Sequence, residues 1–171
     1  FEDGEEVAFG QILVKLDGKA RSILTAERTM LNFMQTLSAV ATKTRILAEK
    51  IKHTNSQLLD TRKTIPGLRL AQKYAVKIGG GQNHRIGLFD AFLIKENHIK
   101  AAGGIANAIR KAKKVNNSAR IEIEVETIDE LREALEFEPD WILLDNFSIS
   151  DMIRAVEIAK QKVKLEASGG I

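Results

Sequence analysis

Apolar and polar positions fall into three regimes along the chain. Residues 7–24 mix short apolar runs with Asp17-Gly18, a pair that favours tight hairpin turns, so this stretch is expected to form short strands. From residue 26 to residue 52, Met30, Phe33, Met34, Leu37, Val40, Ala41, Leu47 and Ile51 recur at helical spacing. The stripe predicts one long helix with its apolar face in a core or a subunit interface, and Thr25 is placed to cap it.

Beyond residue 52 the pattern alternates. Apolar runs of strand length at residues 57–59, 91–94, 121–125, 141–144 and 163–167 are separated by helical stretches at 67–78, 104–115, 128–137 and 150–161. Pro66 is placed to open the first of these helices and Gly79 to close it, and Thr127-x-x-Glu130 is a capping-box pattern. Strand alternating with helix requires parallel strands joined by crossovers, so the fold class is α/β, as a sheet or a barrel.

Length and composition narrow the function classes. A chain of 171 residues supports one sizeable core. No apolar run approaches the roughly 18 residues of a membrane span, and the start lacks a signal-peptide pattern, so no membrane partner is expected. The absence of cysteine excludes disulfides, thiolate nucleophiles and Cys-ligated metals, and it fits the cytoplasm. A net charge of +3 is too small to argue for nucleic acid. Local charge is more telling. Residues 61–100 carry eight Lys/Arg against two acids, and residues 121–140 carry nine acids against Arg132. Solvated helix faces account for part of each run; the sharper reading is a basic wall for an anion and an acidic wall for a metal or hydroxyls. The chain opens on Phe1-Glu2-Asp3-Gly4 without a methionine and stops on Ser168-Gly169-Gly170-Ile171, which reads as a fragment.

Ligands of parallel α/β folds bind at the C-terminal ends of the strands, so the residues that follow each apolar run carry the functional information. The first run ends in Asp60-Thr61-Arg62-Lys63 and the second in Lys95-Glu96-Asn97. In the third, Glu122, Glu124 and Glu126 alternate with apolar residues and are expected on one face. The fourth ends in Asp145-Asn146 and the fifth in Ser168-Gly169-Gly170. Glu124 and Asp145 on neighbouring strands suit Mg²⁺, directly or through water, or ribose hydroxyls. Ser168-Gly169-Gly170 follows a strand and can cradle phosphate with backbone N–H groups, whereas Gly79-Gly80-Gly81 follows a helix and should terminate it. His84-Arg85 lies in a polar loop where two adjacent donors can grip a carboxylate; His53 reads as surface and His98 as structural. Arg28 is expected in the first turn of the long helix, where a cation opposes the helix dipole by about 0.3–1 kcal/mol.

Taken in order, these motifs are distinctive. They are Glu27-Arg28-x-x-Leu31-Asn32, Asp60-Thr61-Arg62-Lys63-Thr64-x-Pro66-Gly67-x-Arg69, Gly80-Gly81-x-x-His84-Arg85-x-Gly87-Leu88 and Lys95-x-Asn97-His98. Glu124-Val125-Glu126, Leu144-Asp145-Asn146 and Glu166-x-Ser168-Gly169-Gly170 complete them. The chain resembles, over essentially its whole length, the quinolinate phosphoribosyltransferases, also called nicotinate-nucleotide pyrophosphorylases (carboxylating). The resemblance implies an incomplete α/β barrel of parallel strands over residues 53–171, lacking its last strands and a second phosphate loop. Residues 1–52, including the long helix, would be the remnant of an N-terminal α/β sandwich domain.

The implied activity is a Mg²⁺-dependent transfer from phosphoribosyl pyrophosphate to quinolinate, with loss of carbon dioxide, in NAD biosynthesis. By the same resemblance Arg62, His84, Arg85 and Lys95 would hold the quinolinate carboxylates, Thr61 would contact substrate and Lys63 would bridge toward the phosphates. Glu124 and Asp145 would serve Mg²⁺ and the ribose hydroxyls, and Ser168, Gly169 and Gly170 the 5′-phosphate. Lys63, Lys95, Glu124 and Asp145 are the implied catalytic residues. Arg28 would enter the site of a neighbouring copy in a homodimer or a dimer-based oligomer. Three rivals stand beside this reading: a paralogue acting on another anionic acceptor such as nicotinate, an aldolase using Lys95 as a Schiff base, and an inactive scaffold.

Overall fold

The protein is described here from a computed structural model covering residues 1–170, which form two compact units, Phe1–Ile86 and Gly87 onward. In the first unit the hairpin expected at residues 7–24 is not formed. A hairpin is marginal without a third strand or a helix to cover it, and Val7, Phe9, Ile12, Leu13, Val14 and Leu16 are all exposed. The last five residues of the stretch, 20–24, are drawn into helix instead. Helix α1 spans Ala20–Ile51, starting six residues before the expected boundary. Thr25 therefore lies inside the helix, its Oγ1 donating to the Arg21 carbonyl at 2.7 Å, and the N-cap is Lys19, which offers no side-chain acceptor. Arg28 sits in the third turn, exposed, so the expected conflict with the helix dipole does not arise.

Helix α2 spans Arg69–Ile78. Pro66 does not open it. Gly67 takes φ +79 and the Leu68 N–H donates to the Ile65 carbonyl at 3.0 Å, so Pro66-Gly67 forms a turn and the helix begins two residues later. Gly79 closes the helix as expected, and it has a second task. A Cβ on Gly79 would come within 2.6 Å of Thr44 Cβ, and one on Gly81 within 3.0 Å of Thr44 Cγ2. Thr44 is the buried residue of α1, so these two glycines admit the close contact between the helices. The expected strand at residues 57–59 is reduced to one parallel bridge, Leu59 to Gln82.

The second unit is a parallel sheet wrapped by helices. Strands β1 (Ala91–Ile94), β2 (Arg120–Val125), β3 (Trp141–Asp145) and β4 (Lys164–Ser168) pair in the order in which they occur in the chain. Sequential order without a switch point is how strands follow one another in an α/β barrel. Helices α4 (Ile105–Val115), α5 (Ile128–Glu136) and α6 (Ile149–Ala159) fall where the periodicity predicts them. Helix α3 (Glu96–Ala102) is seven residues long, too short to show a period. Thr127 Oγ1 accepts from the Glu130 N–H and Ser148 Oγ from the Asp151 N–H, which caps α5 and α6.

Register sorts the strand residues onto two faces. Ile94, Ile123 and Ile142 align on one face with Val125 and Leu144, and bury against Ile105, Ile109, Leu131 and Ala155 of the helices. Each fully buried aliphatic side chain contributes about 1.5–3 kcal/mol, so this layer holds the unit together. The opposite face is polar. Leu93, Glu122 and Trp141 align there, then Glu124, Leu143 and Glu166, then Asp145 and Ser168. Glu122 is fully buried. Glu126 does not join it: the strand ends at Val125, and Glu126 is exposed, its N–H donating to Glu130 Oε2 at 2.8 Å. The three-glutamate face expected from period-two spacing is thus a two-glutamate face.

Candidate active site

In the first unit the cationic loops are organised by a buried ion pair between Asp60 and Lys73. Asp60 Oδ1 accepts from the Lys73 ammonium and from the backbone N–H of His84 at 2.8 Å. Lys73 Nζ also donates to the His84 carbonyl at 3.1 Å. Both side chains are buried, with 7% and 2% of their surface exposed, so the pair is desolvated. Arg69 ties the same two segments from another side, donating to the Ile86 carbonyl at 3.1 Å, the Arg62 carbonyl at 3.4 Å and Thr64 Oγ1 at 3.2 Å. Arg69 and Lys73 are four residues apart on one face of α2.

This frame presents the expected substrate-binding side chains. Arg62 is half-buried, and its Nε is buried without a hydrogen-bond partner among the described residues. A guanidinium N–H kept dry and unbonded suits a bound anion. Lys63 and Thr61 are exposed, and the Lys63 N–H donates to Thr61 Oγ1 at 3.0 Å, which tightens the loop between them. His84 is buried and Arg85 half-buried.

In the second unit the polar ends of the strands meet on one face. Lys95, directly after β1, pairs with Glu124 of β2 at 2.6 Å. The expected separation into basic and acidic walls therefore fails at Lys95, which already neutralises a member of the acidic set. The Lys95 N–H donates to His98 Nδ1 at 2.9 Å, so His98 closes the first turn of α3, the structural role expected of it. Asp145 Oδ2 accepts from Asn146 Nδ2 at 2.9 Å. Asn146 has φ +55, and its N–H donates to the Ser168 carbonyl at 2.8 Å, which extends the β3–β4 ladder into the loops. Gly169 and Gly170 follow with φ +86 and φ +67, backbone that favours glycine.

Glu124 and Asp145 share a face at the C-terminal ends of adjacent strands, and both are half-buried. Two hard carboxylate donors so placed are compatible with Mg²⁺. A cleft of about 230 Å³ opens beside Glu124, lined by Glu96, Ile99, Lys100, Glu126 and Glu130. Glu96 belongs to the polar segment that follows β1 and Glu130 to the capping box of α5, and neither was expected among the ligand-binding residues. Asn146 and Lys73 were likewise unassigned: the first appeared only within a motif, and the second reads as an exposed helical lysine.

Comparison with known proteins agrees with the motifs. The sequence model of the quinolinate phosphoribosyl transferase C-terminal domain matches residues 40–171, and that of the N-terminal domain matches residues 1–38. The chain is 44% identical over 173 residues to the nicotinate-nucleotide pyrophosphorylase (carboxylating) of Mycobacterium leprae, covering 99% of this chain and 61% of that protein. To the probable nicotinate-nucleotide pyrophosphorylase (carboxylating) of Methanocaldococcus jannaschii it is 47% identical, covering 100% of this chain and 63% of that one. Among solved structures, NadC from Streptococcus pyogenes is 40% identical with a TM-score of 0.95, over 100% of this chain and 60% of its own. The Francisella tularensis nicotinate-nucleotide pyrophosphorylase is 60% identical with a TM-score of 0.86, over 89% and 54%. No helix among the described residues is long and apolar enough to cross a membrane.

Proposed function

This chain belongs to the quinolinate phosphoribosyltransferase family, and from that premise we propose that it transfers the phosphoribosyl group of phosphoribosyl pyrophosphate to quinolinate, releasing pyrophosphate and carbon dioxide and forming nicotinate mononucleotide for NAD biosynthesis. The observation that carries the reading is the register that lines up Glu124, Asp145 and Ser168 at one end of one sheet face, with Lys95 paired to Glu124.

Quinolinate is a dianion, and Arg62, His84, Arg85 and Lys95 supply donors for its carboxylates, with Thr61 beside them. Lys95 is paired with Glu124, and a ligand carboxylate competes with Glu124 for it. Lys63 serves the phosphate side. Glu124 and Asp145 would hold Mg²⁺, which when bound offsets pyrophosphate charge; the same carboxylates steady the positive charge that develops at the ribose carbon. Ser168, Gly169 and Gly170 offer backbone N–H groups to the 5′-phosphate. Once the N-ribosyl bond has formed, the positive ring nitrogen stabilises the electron pair left on the adjacent ring carbon as carbon dioxide departs, and a proton from solvent completes the C–H bond of the product. The site needs no covalent enzyme intermediate, and the Schiff-base rival is disfavoured by a Lys95 head group that is half-exposed and bonded to a carboxylate.

Arg28 is exposed on α1, and we assign it to the site of a second copy in a homodimer. We assign the reaction to the cytoplasm. The test is release of carbon dioxide from quinolinate in the presence of phosphoribosyl pyrophosphate and Mg²⁺. Release dependent on all three supports the proposal. Turnover of nicotinate without carbon dioxide would establish the paralogue instead, and no turnover of either acid would leave the scaffold reading.

A further inference from the structure

We propose that Lys73, acting through its buried pair with Asp60, is a positioning residue that fixes the His84-Arg85 backbone against the Arg62 segment and thereby sets affinity for the anionic acceptor. The inference rests on the proposed function for its choice of ligand, and on the geometry of the first unit for everything else.

The contacts form a closed clamp. Asp60 accepts the N–H of His84, and Lys73 donates to the carbonyl of the same residue, so one ion pair holds both polar groups of one peptide residue. With its amide nitrogen turned toward its two acceptors, Asn83 donates to Asp60 Oδ2 at 2.9 Å and to the Lys73 carbonyl at 2.9 Å. The Asp60 N–H donates to the Gln82 carbonyl at 3.1 Å, and the Gln82 N–H to the Leu58 carbonyl at 2.8 Å. Asp60 leads directly into Thr61-Arg62-Lys63, and His84 leads into Arg85. Any slip between the two segments would therefore alter the spacing of Arg62 and Arg85, the two guanidiniums assigned to quinolinate.

Stability alone gives a poor reason for such a pair. Burying two charges costs desolvation that their attraction repays only with good geometry, and an apolar replacement of both partners is often neutral or better. What an apolar pair cannot do is hold the peptide of His84 by both ends. The Lys73 ammonium bonds only to Asp60 and the His84 carbonyl among the described residues, and the residue is 2% exposed, so it does not itself offer a contact to substrate.

The test separates positioning from support. Lys73→Met alone leaves the Asp60 carboxylate buried without its cation and is expected to lower the denaturation midpoint. Lys73→Met with Asp60→Asn removes both charges and keeps an acceptor for the His84 N–H; it should regain most of that midpoint. Positioning predicts that the double variant still raises KM for quinolinate, by about tenfold to a hundredfold, with a smaller change in kcat and in KM for phosphoribosyl pyrophosphate. It also predicts faster amide hydrogen exchange across residues 82–86 of the full chain. If the double variant binds quinolinate like the parent, or exchanges those amides no faster at equal stability, the clamp is only structural and the inference falls. A parent protein that does not bind quinolinate overturns the proposed function instead, and the exchange measurement still decides the clamp.

Discussion

Gly169→Ala is the substitution for which the structure gives the sharpest expectation. Gly169 has φ +86, and an added Cβ would lie 2.6 Å from Asn146 Cγ and 2.9 Å from the Asn146 backbone nitrogen, and would also meet Asn146 Oδ1. The neighbouring Gly170 has φ +67 with nothing within 4 Å of its Cβ position. Both substitutions incur the left-handed backbone cost of about 1 kcal/mol. Only Gly169→Ala must also move Asn146, whose side chain can swing away only by releasing Asp145 Oδ2, and whose N–H is bonded to the Ser168 carbonyl. That overlap adds about 1–3 kcal/mol, so chemical denaturation should show a loss of about 2–4 kcal/mol for Gly169→Ala against about 1 kcal/mol for Gly170→Ala. Because the displaced amide supports Asp145, Gly169→Ala should also weaken binding of phosphoribosyl pyrophosphate, read by calorimetry, more than its stability loss alone explains. Adding Asn146→Ala to Gly169→Ala should recover part of the stability but not the binding. Equal stability of the two glycine variants would refute the steric argument, and full recovery of binding in the double variant would refute the role given to Asn146.

Arg62→Ala or Arg85→Ala should weaken quinolinate binding by about 1.5–3 kcal/mol per lost charge-assisted contact, measured by titration calorimetry. Glu124→Gln and Asp145→Asn should instead impair use of phosphoribosyl pyrophosphate and Mg²⁺ far more than quinolinate binding, which stays nearly intact; the opposite ranking would exchange the two sets of residues. Tyr74 is the one tyrosine of the chain, and the hydrogen bond its hydroxyl donates to Asp3 Oδ2 holds its phenol above the ordinary value of 10.0. Phenolate absorbance should therefore appear at higher pH than for free tyrosine, and Asp3→Asn should bring it down; an unmoved titration would mean that the contact is absent in solution. Mixing inactive Arg28→Ala chains with inactive Lys95→Ala chains should restore activity, since a mixed dimer carries one site with both residues intact. Continued inactivity in verified mixed dimers would confine Arg28 to its own chain.

The second unit was readable from the sequence because its strands carry two signals at once. Ile121, Ile123 and Val125 mark a face, and the bounding turns mark a length, so β2 was located within a residue. Residues 7–24 carry the same kind of local signal and form no strand, because a strand exists only through a partner and this unit supplies none among its described residues. Glu126 failed for a related reason. Period-two spacing holds only while the ladder continues, and the ladder stops at Val125, where the capping requirement of α5 takes over and draws the Glu126 N–H to Glu130.

The candidate site divides along a different line. Residues that meet a ligand sit in motifs such as Asp60-Thr61-Arg62-Lys63, and motif order was enough to identify the family. Residues that hold those side chains in place leave a misleading trace. Arg69 and Lys73, four apart and of like charge, have the appearance of a solvated helix face, yet one reaches three loop acceptors and the other is 2% exposed against Asp60. A sequence reports the charge of a side chain but not which carbonyls lie within its reach; those are set by how the loop returns, here by the Leu59–Gln82 bridge and by glycines 79 and 81. The same holds for Lys95, which is expected to hold a quinolinate carboxylate and pairs with Glu124 at 2.6 Å. Removing Glu124 should therefore act twice, on its own ligands and on the posture of Lys95, so that Glu124→Gln carries a modest quinolinate defect that Asp145→Asn lacks.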